Sequence, residues 1–362
     1  MESQAKKILL RMLRVRQRAW WNVPGLSRES LTATEKKQVD AIWSCIWSKP
    51  SYRWHEHFKK TNGSFDPFFL PVDTFYLDLM PRLSHLPLAT AWEDKSYYAA
   101  RFPDVPFPRL VAACIDGMLC DKDLEPCGYE WLWSEIEQLG TVFVKPSMGS
   151  YQGIGAFKLN ASDADTPENL AKVLSGSGDN YVIQELVSQH EALASLNNSS
   201  VNIIRMNTVR LGEEDPFLAN ATIRFGIPGR VTDVTYVDGV ETARVVGLTE
   251  EGVVRDFFCD QDGNRAPLSD LSTSLGGAAL PGFDRAREVC LTMHRRLHHF
   301  GIVAFDVAIA GSAEPVIIEM NLGGPGAVFY QYANGPFFGR RTEEVIEWCM
   351  KRTLREKPWD LS

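Results

Sequence analysis

Apolar and polar positions follow two different periods along this chain. From Thr32 to about Lys60 the apolar positions recur with helical spacing, whereas after Trp92 short apolar runs are bounded by glycine, proline and polar residues. Such runs predict strands at 110–114, 141–145, 154–159, 181–187, 201–211, 217–226, 231–237, 242–247, 253–258, 302–309 and 315–321. Helical spacing returns at 167–175, 282–299 and 341–356. The pattern predicts an α+β fold with long antiparallel stretches, since few helices separate successive strands.

The N-terminal region differs from the rest of the chain in its pattern of basic, apolar and aromatic residues. Residues 1–21 interleave basic and apolar positions with helical spacing and end in Trp20-Trp21. A basic amphipathic helix of this kind can lie on an anionic membrane surface, or it can pack on the body of the protein with its charges in water. The second arrangement is the commoner one and is favoured here. Residues 62–85 are broken by Gly63, three prolines and several aromatic residues, so residues 1–90 are predicted to form a mostly helical, aromatic-rich region.

Composition excludes several classes of protein. The chain has 362 residues, 44% of them hydrophobic, and a net charge of -8, which argues against disorder and against a nucleic-acid partner. Its seven cysteines include no C-x-x-C pair, so free thiols in a reducing compartment are expected. No apolar run approaches the roughly 20 residues that cross a bilayer, and a cytoplasmic location is predicted, with attachment to the inner membrane surface as the alternative for the basic helix.

The clearest candidate chemistry lies in two neighbouring apolar runs near the C-terminus. Gly301–Ala310 and Glu314–Asn321 are close enough to form a hairpin that pairs Asp306 with Glu319, Phe305 with Met320 and Val307 with Ile318. Alternation then places Asp306, Glu319 and Asn321 on one face. Two opposed carboxylates repel unless a cation lies between them, and magnesium prefers such oxygen ligands. An acidic solvated face is the other explanation, but the apolar neighbours of Glu319 favour burial and a metal site.

A second candidate begins at a lysine. The run Thr141–Lys145 predicts a strand that opens into the glycine-rich turn Ser147–Gly155. Glycines let backbone N–H groups approach an anion, and a lysine adds a point charge for phosphate. The turn leads into another strand and carries no Gly-Lys-Ser/Thr, so it is not a P-loop. Taken alone, the motif is better explained as a tight hairpin turn with an incidental lysine.

Further candidates lie between these two motifs. The strand Tyr181–Val187 ends in polar residues, and a strand end with free backbone groups can bind an adenine edge. Taken alone, this segment is better explained as an ordinary buried strand that leaves the sheet. Asn202, Arg205 and Arg224 lie on the next two predicted strands, and an arginine fork suits a phosphoryl group or a carboxylate.

Taken in order, these motifs and Asp94-Lys95 resemble the ATP-grasp superfamily, most closely its sugar-transfer-associated group. The resemblance implies an ATP-grasp fold with a small lid subdomain and a larger mixed-sheet subdomain. The implied divisions are a helical region 1–90, a pre-lid segment 91–140, a lid subdomain 141–191 and a C-terminal subdomain 192–362 that carries the metal site. The residues that the resemblance assigns to nucleotide binding are Lys95, Lys145, Ser147, Gly149, Ser150, Gly153, Gln184, Glu185, Leu186, Val187 and Glu191.

The resemblance also implies an activity. ATP and Mg²⁺ are the expected cofactors, with Asp306, Glu319 and Asn321 on the metal and Lys145, Arg205 and Arg224 as catalytic residues. The expected reaction joins a small-molecule or sugar-linked carboxylate to an amine in cell-surface polysaccharide or related sugar-conjugate biosynthesis. An ATP-grasp kinase that phosphorylates a hydroxyl, and a non-catalytic nucleotide-binding partner of a membrane glycosyltransferase, are the alternatives. Part of the aromatic region between residues 43 and 98 is predicted to border the acceptor pocket beside the two arginines, although core packing is the commoner use of such residues.

Overall fold

The computed structural model describes residues 26–46, 50–149, 153–232, 236–237 and 240–352. The basic N-terminal helix predicted for residues 1–21 and the candidate Ser150 lie outside the described residues. Residues 233–235 of the strand predicted at 231–237, and residues 238–239 after it, also lie outside the described residues.

The fold places two antiparallel sheets side by side, with helices packed around them. The first has five strands in the order β2-β1-β5-β3-β4, and the second has seven in the order β12-β11-β10-β7-β6-β13-β14. A short hairpin, β8-β9, stands apart from both. The strands are β1 (Leu110–Ile115), β2 (Met118–Asp121), β3 (Thr141–Pro146), β4 (Phe157–Asn160), β5 (Tyr181–Glu185), β6 (Ile203–Val209), β7 (Phe217–Phe225), β8 (Tyr236–Val237), β9 (Val240–Glu241), β10 (Arg244–Leu248), β11 (Val254–Cys259), β12 (Arg265–Pro267), β13 (Ile302–Ile309) and β14 (Pro315–Asn321).

Helices cover the described N-terminal region and recur between the strands. A π-helical turn, Phe75–Leu79, continues α3 into α4. The α-helices are α1 (Ala33–Trp43), α2 (Arg53–Asn62), α3 (Val72–Thr74), α4 (Met80–Leu83), α5 (Ala89–Glu93), α6 (Tyr98–Arg101), α7 (Tyr129–Leu139), α8 (Pro167–Leu174), α9 (Glu191–Ala194), α10 (Phe283–Arg296), α11 (Phe329–Asn334) and α12 (Thr342–Met350).

The seven-stranded sheet has two different faces because side chains alternate along each strand. Ile204 and Met206 of β6 and Phe305 of β13 pack with α10 in the largest core cluster. Val209 and Ile302 point to the opposite face and pack with the N-terminal helices and α12. Arg205, Asn207 and Asp306 share this second face, so the fold directs them toward the N-terminal region, whereas Thr208 lies on the first face and binds His294 of α10.

The hairpin β13-β14 has most of the predicted register. Phe305 is opposite Met320, and Asp306 is opposite Glu319. The third predicted pair, Val307 with Ile318, is wrong, because a bulge after Asp306 places Ile317 opposite Val307. The two strands occupy the predicted ranges 302–309 and 315–321.

Several other boundaries differ from the prediction. Strand β4 begins at Phe157 because Gly153 and Gly155 adopt φ values of +72° and +79° and form a turn. Strand β5 ends at Glu185, two residues early. The residue pattern did not predict α7, α9 and α11 or the short strands β2, β9 and β12. Strands β1 and β2 pair into the sheet of β3–β5, so the predicted pre-lid segment 91–140 and lid 141–191 share one sheet.

Candidate active site

The centre of the candidate site is an ion pair between neighbouring strands. Arg205 on β6 is opposite Asp306 on β13, and the guanidinium binds the carboxylate with both Nε and Nη2, the latter at 2.9 Å from Oδ2. Both side chains are almost fully buried. The third nitrogen, Nη1, donates to the backbone oxygen of Pro325 at 3.0 Å. A buried ion pair needs such complete hydrogen bonding, because desolvation otherwise exceeds the attraction between the charges.

Two further side chains contact the same carboxylate. Arg224 on β7 lies 3.4 Å from Oδ2 of Asp306, and the amide nitrogen of Asn321 lies 3.5 Å from the same atom. Burial alone would raise the pKa of Asp306, but the positive charges of Arg205 and Arg224 outweigh it and hold that pKa below its usual value. Asp306 is therefore a carboxylate, not a carboxylic acid, at neutral pH.

Glu319 has a separate cationic partner. Its Oε1 lies 3.0 Å from Nζ of Lys95, whose side chain is nearly buried, whereas 26% of the Glu319 side chain is exposed. Lys95 also contacts Ser147 twice, with its backbone N–H at 3.0 Å and its ammonium at 3.4 Å from the carbonyl oxygen. The repulsion expected between Asp306 and Glu319 is thus offset within the protein, by arginine on one side and lysine on the other.

Lys145, at the end of β3, is the most strongly perturbed cation of the site. Within the described chain its ammonium makes one hydrogen bond, to the backbone oxygen of Ile318 at 3.3 Å. Burial and the neighbouring charge of Lys95 lower its pKa to about 7, although Glu319 and Asp306 oppose the change. An under-bonded buried ammonium of this kind is suited to an anionic ligand.

A short segment before the first sheet holds Lys95 in place. One oxygen of the Glu93 carboxylate accepts hydrogen bonds from the backbone N–H groups of Leu322 and Gly323, at 2.5 and 2.9 Å. The Tyr98 hydroxyl accepts from the N–H of Met320 and donates to the carbonyl of Glu93. We call Glu93 and Tyr98 the brace, because they attach the Lys95 segment to the end of β14.

The predicted nucleotide contacts fall into two groups. Gln184, Glu185, Leu186 and Val187 line the cavity. Gln184 and Glu185 are still paired with β3, and the pairing of β5 ends before Leu186. The Glu185 carboxylate binds Arg109 at 2.7 Å. Glu191, in contrast, is exposed at the start of α9 and is not among the residues that line the cavity.

The glycine-rich turn covers one side of this cavity. Gly153 and Ile154 line it, whereas Ser147 is buried behind Lys145 and Gly149 is exposed. The Ser147 hydroxyl is buried and without a hydrogen-bond partner in the described structure. A Cβ atom on Gly153 would lie 2.6 Å from the methyl group of Thr232, so the turn touches the loop that follows β7.

The site opens into one large cavity of about 1360 Å³. Strands of the five-stranded sheet line it, together with Lys95, Lys145, both arginines and the acidic hairpin. Trp54 and Tyr76 of the N-terminal region also line it. The structure thus brings two of the predicted aromatic residues to the cavity that contains Arg205 and Arg224, while Trp43 and Phe75 are core residues.

The donor set suits magnesium and a polyphosphate. Two carboxylates and the Asn321 amide supply the oxygen atoms that a hard cation prefers. Lys145 and the Ser147 hydroxyl supply hydrogen-bond donors that the protein leaves under-used. Within the described residues no three His, Cys, Asp or Glu side chains form a metal-binding group, so the hairpin would need phosphate or water oxygens to complete a coordination shell.

Sequence reasoning missed part of this site. The site also uses hydrogen bonds to backbone groups, made by Glu93, Tyr98 and Gly323. Backbone groups produce no sequence motif, so the only signal was a carboxylate, Glu93, two positions before Lys95. Phe143 and Lys158 also line the cavity, because antiparallel pairing sets them opposite each other on β3 and β4. The alternation along β3 and β4 could have indicated these two residues.

Residues 166–347, just over half of the chain, match the family described as sugar-transfer associated ATP-grasp. The chain belongs to this family, and its α+β architecture is the ATP-grasp fold. No curated protein matches the sequence.

Several solved structures have a similar arrangement at low identity. ATP-grasp ligase PsnB, complexed with a minimal precursor, is 15% identical, with 72% of this chain and 62% of that chain covered and a TM-score of 0.42. D-alanyl-alanine synthetase A from Vibrio cholerae is 12% identical, with 73% and 66% covered and a TM-score of 0.44. D-cycloserine synthetase DcsG is 16% identical, with 75% and 73% covered and a TM-score of 0.41. The chain thus spans less than two thirds of the length of the first two.

Proposed function

We propose that this protein is an ATP-dependent carboxylate–amine ligase. The observation that carries the proposal is the meeting of two lysines, two arginines and an acidic hairpin in one cavity. Cations at one side suit the phosphates of ATP, and arginine forks suit a second anion such as a carboxylate. Membership of a family whose fold binds ATP supports the same conclusion.

The proposed reaction has two steps. A carboxylate oxygen attacks the terminal phosphorus of ATP, and the bond to the bridging oxygen breaks so that ADP leaves with its electron pair. The amine nitrogen then attacks the acyl carbon, the bond to the phosphate oxygen breaks, and the amine loses a proton. The products are an amide, ADP and inorganic phosphate.

The residues of the chain have distinct roles in this proposal. Lys95 and Lys145 bind the phosphates, and Gln184 to Val187 bind the adenine with backbone and apolar groups. Arg205 and Arg224 hold the substrate carboxylate beside the transferred phosphoryl group, whose charge they stabilise. The turn around Gly153 keeps water from the acyl phosphate. The metal ligands are Asp306, Glu319 and Asn321, and a bound magnesium ion would neutralise part of the phosphate charge.

Trapping with hydroxylamine distinguishes the ligase reaction from the kinase and non-catalytic alternatives. With ATP, magnesium and the correct carboxylate, hydroxylamine replaces the amine and a hydroxamate should form together with ADP. Phosphate transfer to a stable hydroxyl product would instead establish the kinase alternative. Binding of ATP without turnover across a broad panel of acids and amines would establish the non-catalytic alternative.

We also propose a pathway and a cellular location for the protein. The family description points to sugar transfer, so a role in cell-surface polysaccharide or related sugar-conjugate biosynthesis is proposed, with a sugar-linked carboxylate among the substrates. The division into a lid subdomain 141–191 and a C-terminal subdomain 192–362 belongs to the same proposal. No helix in the described part of the chain has the length and apolarity to cross a membrane. A cytoplasmic location is proposed, and peripheral attachment to a membrane or to a glycosyltransferase is the alternative.

A further inference from the structure

The cavity has a polar border on the side that follows β5. Residues 188–189 continue the cavity lining beyond Val187, and residues 198–200, which follow helix α9, line the same cavity. We call the segment Asn197–Ser200 the polar loop. Its four side chains are two asparagines and two serines, so the loop offers hydrogen bonds without a formal charge.

Hydrogen bonds hold the polar loop in place. The side-chain amide of Gln189 donates to the carbonyl oxygens of Asn197 and Ser200, at 3.1 and 2.8 Å. The amide nitrogen of Asn202 lies 2.7 Å from the carbonyl oxygen of Asn197 and 3.0 Å from Oε1 of Gln189. Because Gln189 directly follows the segment proposed to bind adenine, this network fixes the loop beside that segment.

Asn198 has the side chain of the polar loop that is available to a ligand. The Ser199 hydroxyl donates to Oδ1 of Asn197 at 2.7 Å and accepts from the backbone N–H of Gly229 at 2.9 Å. The Ser200 hydroxyl accepts from the Asn197 amide at 2.9 Å. Asn198 lines the cavity and is exposed, and its amide makes no hydrogen bond within the described residues.

The polar loop lies between the two ends of a nucleotide placed as proposed above. On one side, Gln189 connects it to the adenine segment 184–187. On the other side, Val201, Ile203 and Arg205 line the cavity at alternate positions, because side chains alternate along an extended chain. This row leads from the loop to the phosphate-binding centre. Since a ribose joins the base to the phosphates, the ribose of such a nucleotide would lie beside the polar loop.

The carboxylate that sequence resemblance assigns to the ribose is absent from this position. Glu191 is exposed at the start of α9, outside the cavity lining. A carboxylate only accepts hydrogen bonds, whereas the Asn198 amide both donates and accepts. Each ribose hydroxyl also donates and accepts, so one amide suits a pair of neighbouring hydroxyls. A neutral amide further avoids the repulsion that a carboxylate would have with the phosphates of ATP.

We propose that the Asn198 side-chain amide binds the neighbouring 2′- and 3′-hydroxyls of the nucleotide ribose, and that the rest of the polar loop positions this amide. Asn198 is then the residue that distinguishes a ribonucleotide from a deoxynucleotide. The inference rests on the proposed function, because it specifies how the same cavity binds ATP.

The test measures the Kd of ATP, 2′-deoxy-ATP and 3′-deoxy-ATP by calorimetry on the full chain with magnesium. The parent should bind ATP about 3- to 10-fold more tightly than at least one of the deoxynucleotides, because one hydrogen bond is lost. Asn198→Ala should raise the Kd of ATP by a similar factor and the Kd of that deoxynucleotide by less than twofold. The preference for ATP then disappears, as expected when a side chain and a ligand hydroxyl interact directly.

Two further variants serve as controls. Ser195→Ala changes an exposed residue outside the cavity lining, whose hydroxyl is bonded to the Ala192 carbonyl at 2.7 Å and to the Thr273 hydroxyl at 2.6 Å. It should keep all three Kd values of the parent. Glu191→Gln tests the carboxylate directly, and loss of the ATP preference in this variant would overturn the role of Asn198. Because Asn198 is exposed, Asn198→Ala should unfold at the same temperature as the parent.

The outcomes separate the ribose inference from the ligase proposal. Equal Kd values for the three nucleotides in the parent, or an unchanged preference in Asn198→Ala, overturn the inference even if ADP release proceeds. Weaker binding of D-glucuronate in Asn198→Ala, with nucleotide binding unchanged, also overturns it and assigns the polar loop to a substrate sugar. A preference for ATP that depends on Asn198 supports the inference even if no acid and amine yield an amide, in which case the ligase proposal fails by itself.

Discussion

Lys145 has a buried ammonium group that makes only one hydrogen bond within the described chain. With a pKa of about 7, lowered by burial and by Lys95, it is mostly neutral at pH 8 in the free protein. The unfolded chain has an ordinary lysine pKa and holds this proton up to higher pH. Between about pH 7 and pH 10 the contribution of Lys145 to the free energy of unfolding therefore rises with pH.

Binding of ATP should reverse the shift at Lys145. Phosphate charges favour the ammonium form, so MgATP binding at pH 8 should take up close to one proton from solution, and less at pH 6, where the lysine is already charged. Calorimetry in buffers of different ionisation enthalpy measures this number. Lys145→Arg keeps a permanent charge and should abolish the pH-dependent uptake. Equal uptake at both values of pH in the parent protein would contradict a role for Lys145 at the phosphates.

The brace satisfies backbone groups of an edge strand and also positions Lys95. Strand β14 is at the edge of the seven-stranded sheet. Its outward N–H groups are taken by the Pro106 carbonyl, which binds Ile317 at 2.8 Å, and by the Tyr98 hydroxyl, which binds Met320 at 3.2 Å. Unpaired edge groups invite aggregation, so this cover protects the sheet while it sets Lys95 against Glu319.

Tyr98→Phe tests the brace. The substitution leaves the Met320 N–H buried without an acceptor and should lower the free energy of unfolding by about 1–3 kcal/mol. Because Lys95 loses part of its support, we also expect a higher KM for ATP at temperatures where the variant is fully folded. Tyr97→Phe, in the same segment, is a suitable control. Chemical denaturation and ATP kinetics on both variants provide the measurement, and an unchanged KM for ATP would show that Tyr98 serves stability alone.

The elements that the sequence predicts well are those with strong local patterns. The strands of the β13-β14 hairpin are apolar except at Asp306, Glu319 and Asn321, so their ranges and the Asp306–Glu319 pair follow from alternation. The bulge after Asp306 depends on packing against other strands and has no local signal. Helix α7 was missed although its apolar positions have helical spacing, and the brace was missed because backbone hydrogen bonds depend on tertiary structure.

The cations of Asp306 and Glu319 could not be assigned from sequence for the same reason. Opposed carboxylates predict a positive charge nearby, and a metal ion is one source of it. Arg205 is 101 residues before Asp306 in the chain, and Lys95 is 224 residues before Glu319. Local sequence spacing cannot show that residues so far apart form ion pairs. The metal and the side-chain cations are compatible, since phosphate-bound magnesium and arginine commonly share one site.

At the scale of the whole molecule, the two sheets meet over the cavity. Gly153, in the turn of the five-stranded sheet, is close-packed against Thr232 in the loop after β7. Its φ of +72° requires glycine, and a methyl group here would also collide with the threonine. Closure of the cavity on this side therefore depends on a small residue at position 153.

Gly153→Ala should disturb this closure, and Gly63→Ala is its matched control. Both glycines have positive φ, so both substitutions carry a similar backbone strain of about 1 kcal/mol, but a Cβ on Gly63 meets nothing within 4 Å. We expect Gly153→Ala to lower kcat and to raise the fraction of ATP hydrolysed without amide formation, whereas Gly63→Ala changes neither strongly. The ratio of phosphate to amide released measures the effect. The same ratio in both variants would show that the contact with Thr232 has no part in excluding water.

The cavity wall also has a consequence for the timing of synthesis. Its members run from Leu26 to Tyr332, although the five-stranded sheet is complete once Glu185 has been made. At about 5–20 residues per second, a ribosome needs roughly 15–60 s between the first and the last of these wall residues. A nascent chain thus has Lys95 and Lys145 long before its acidic hairpin and before α11 covers the aromatic residues of α2. Premature termination in that interval yields a polypeptide with an exposed apolar surface and no complete site, a product for chaperones and proteases to remove.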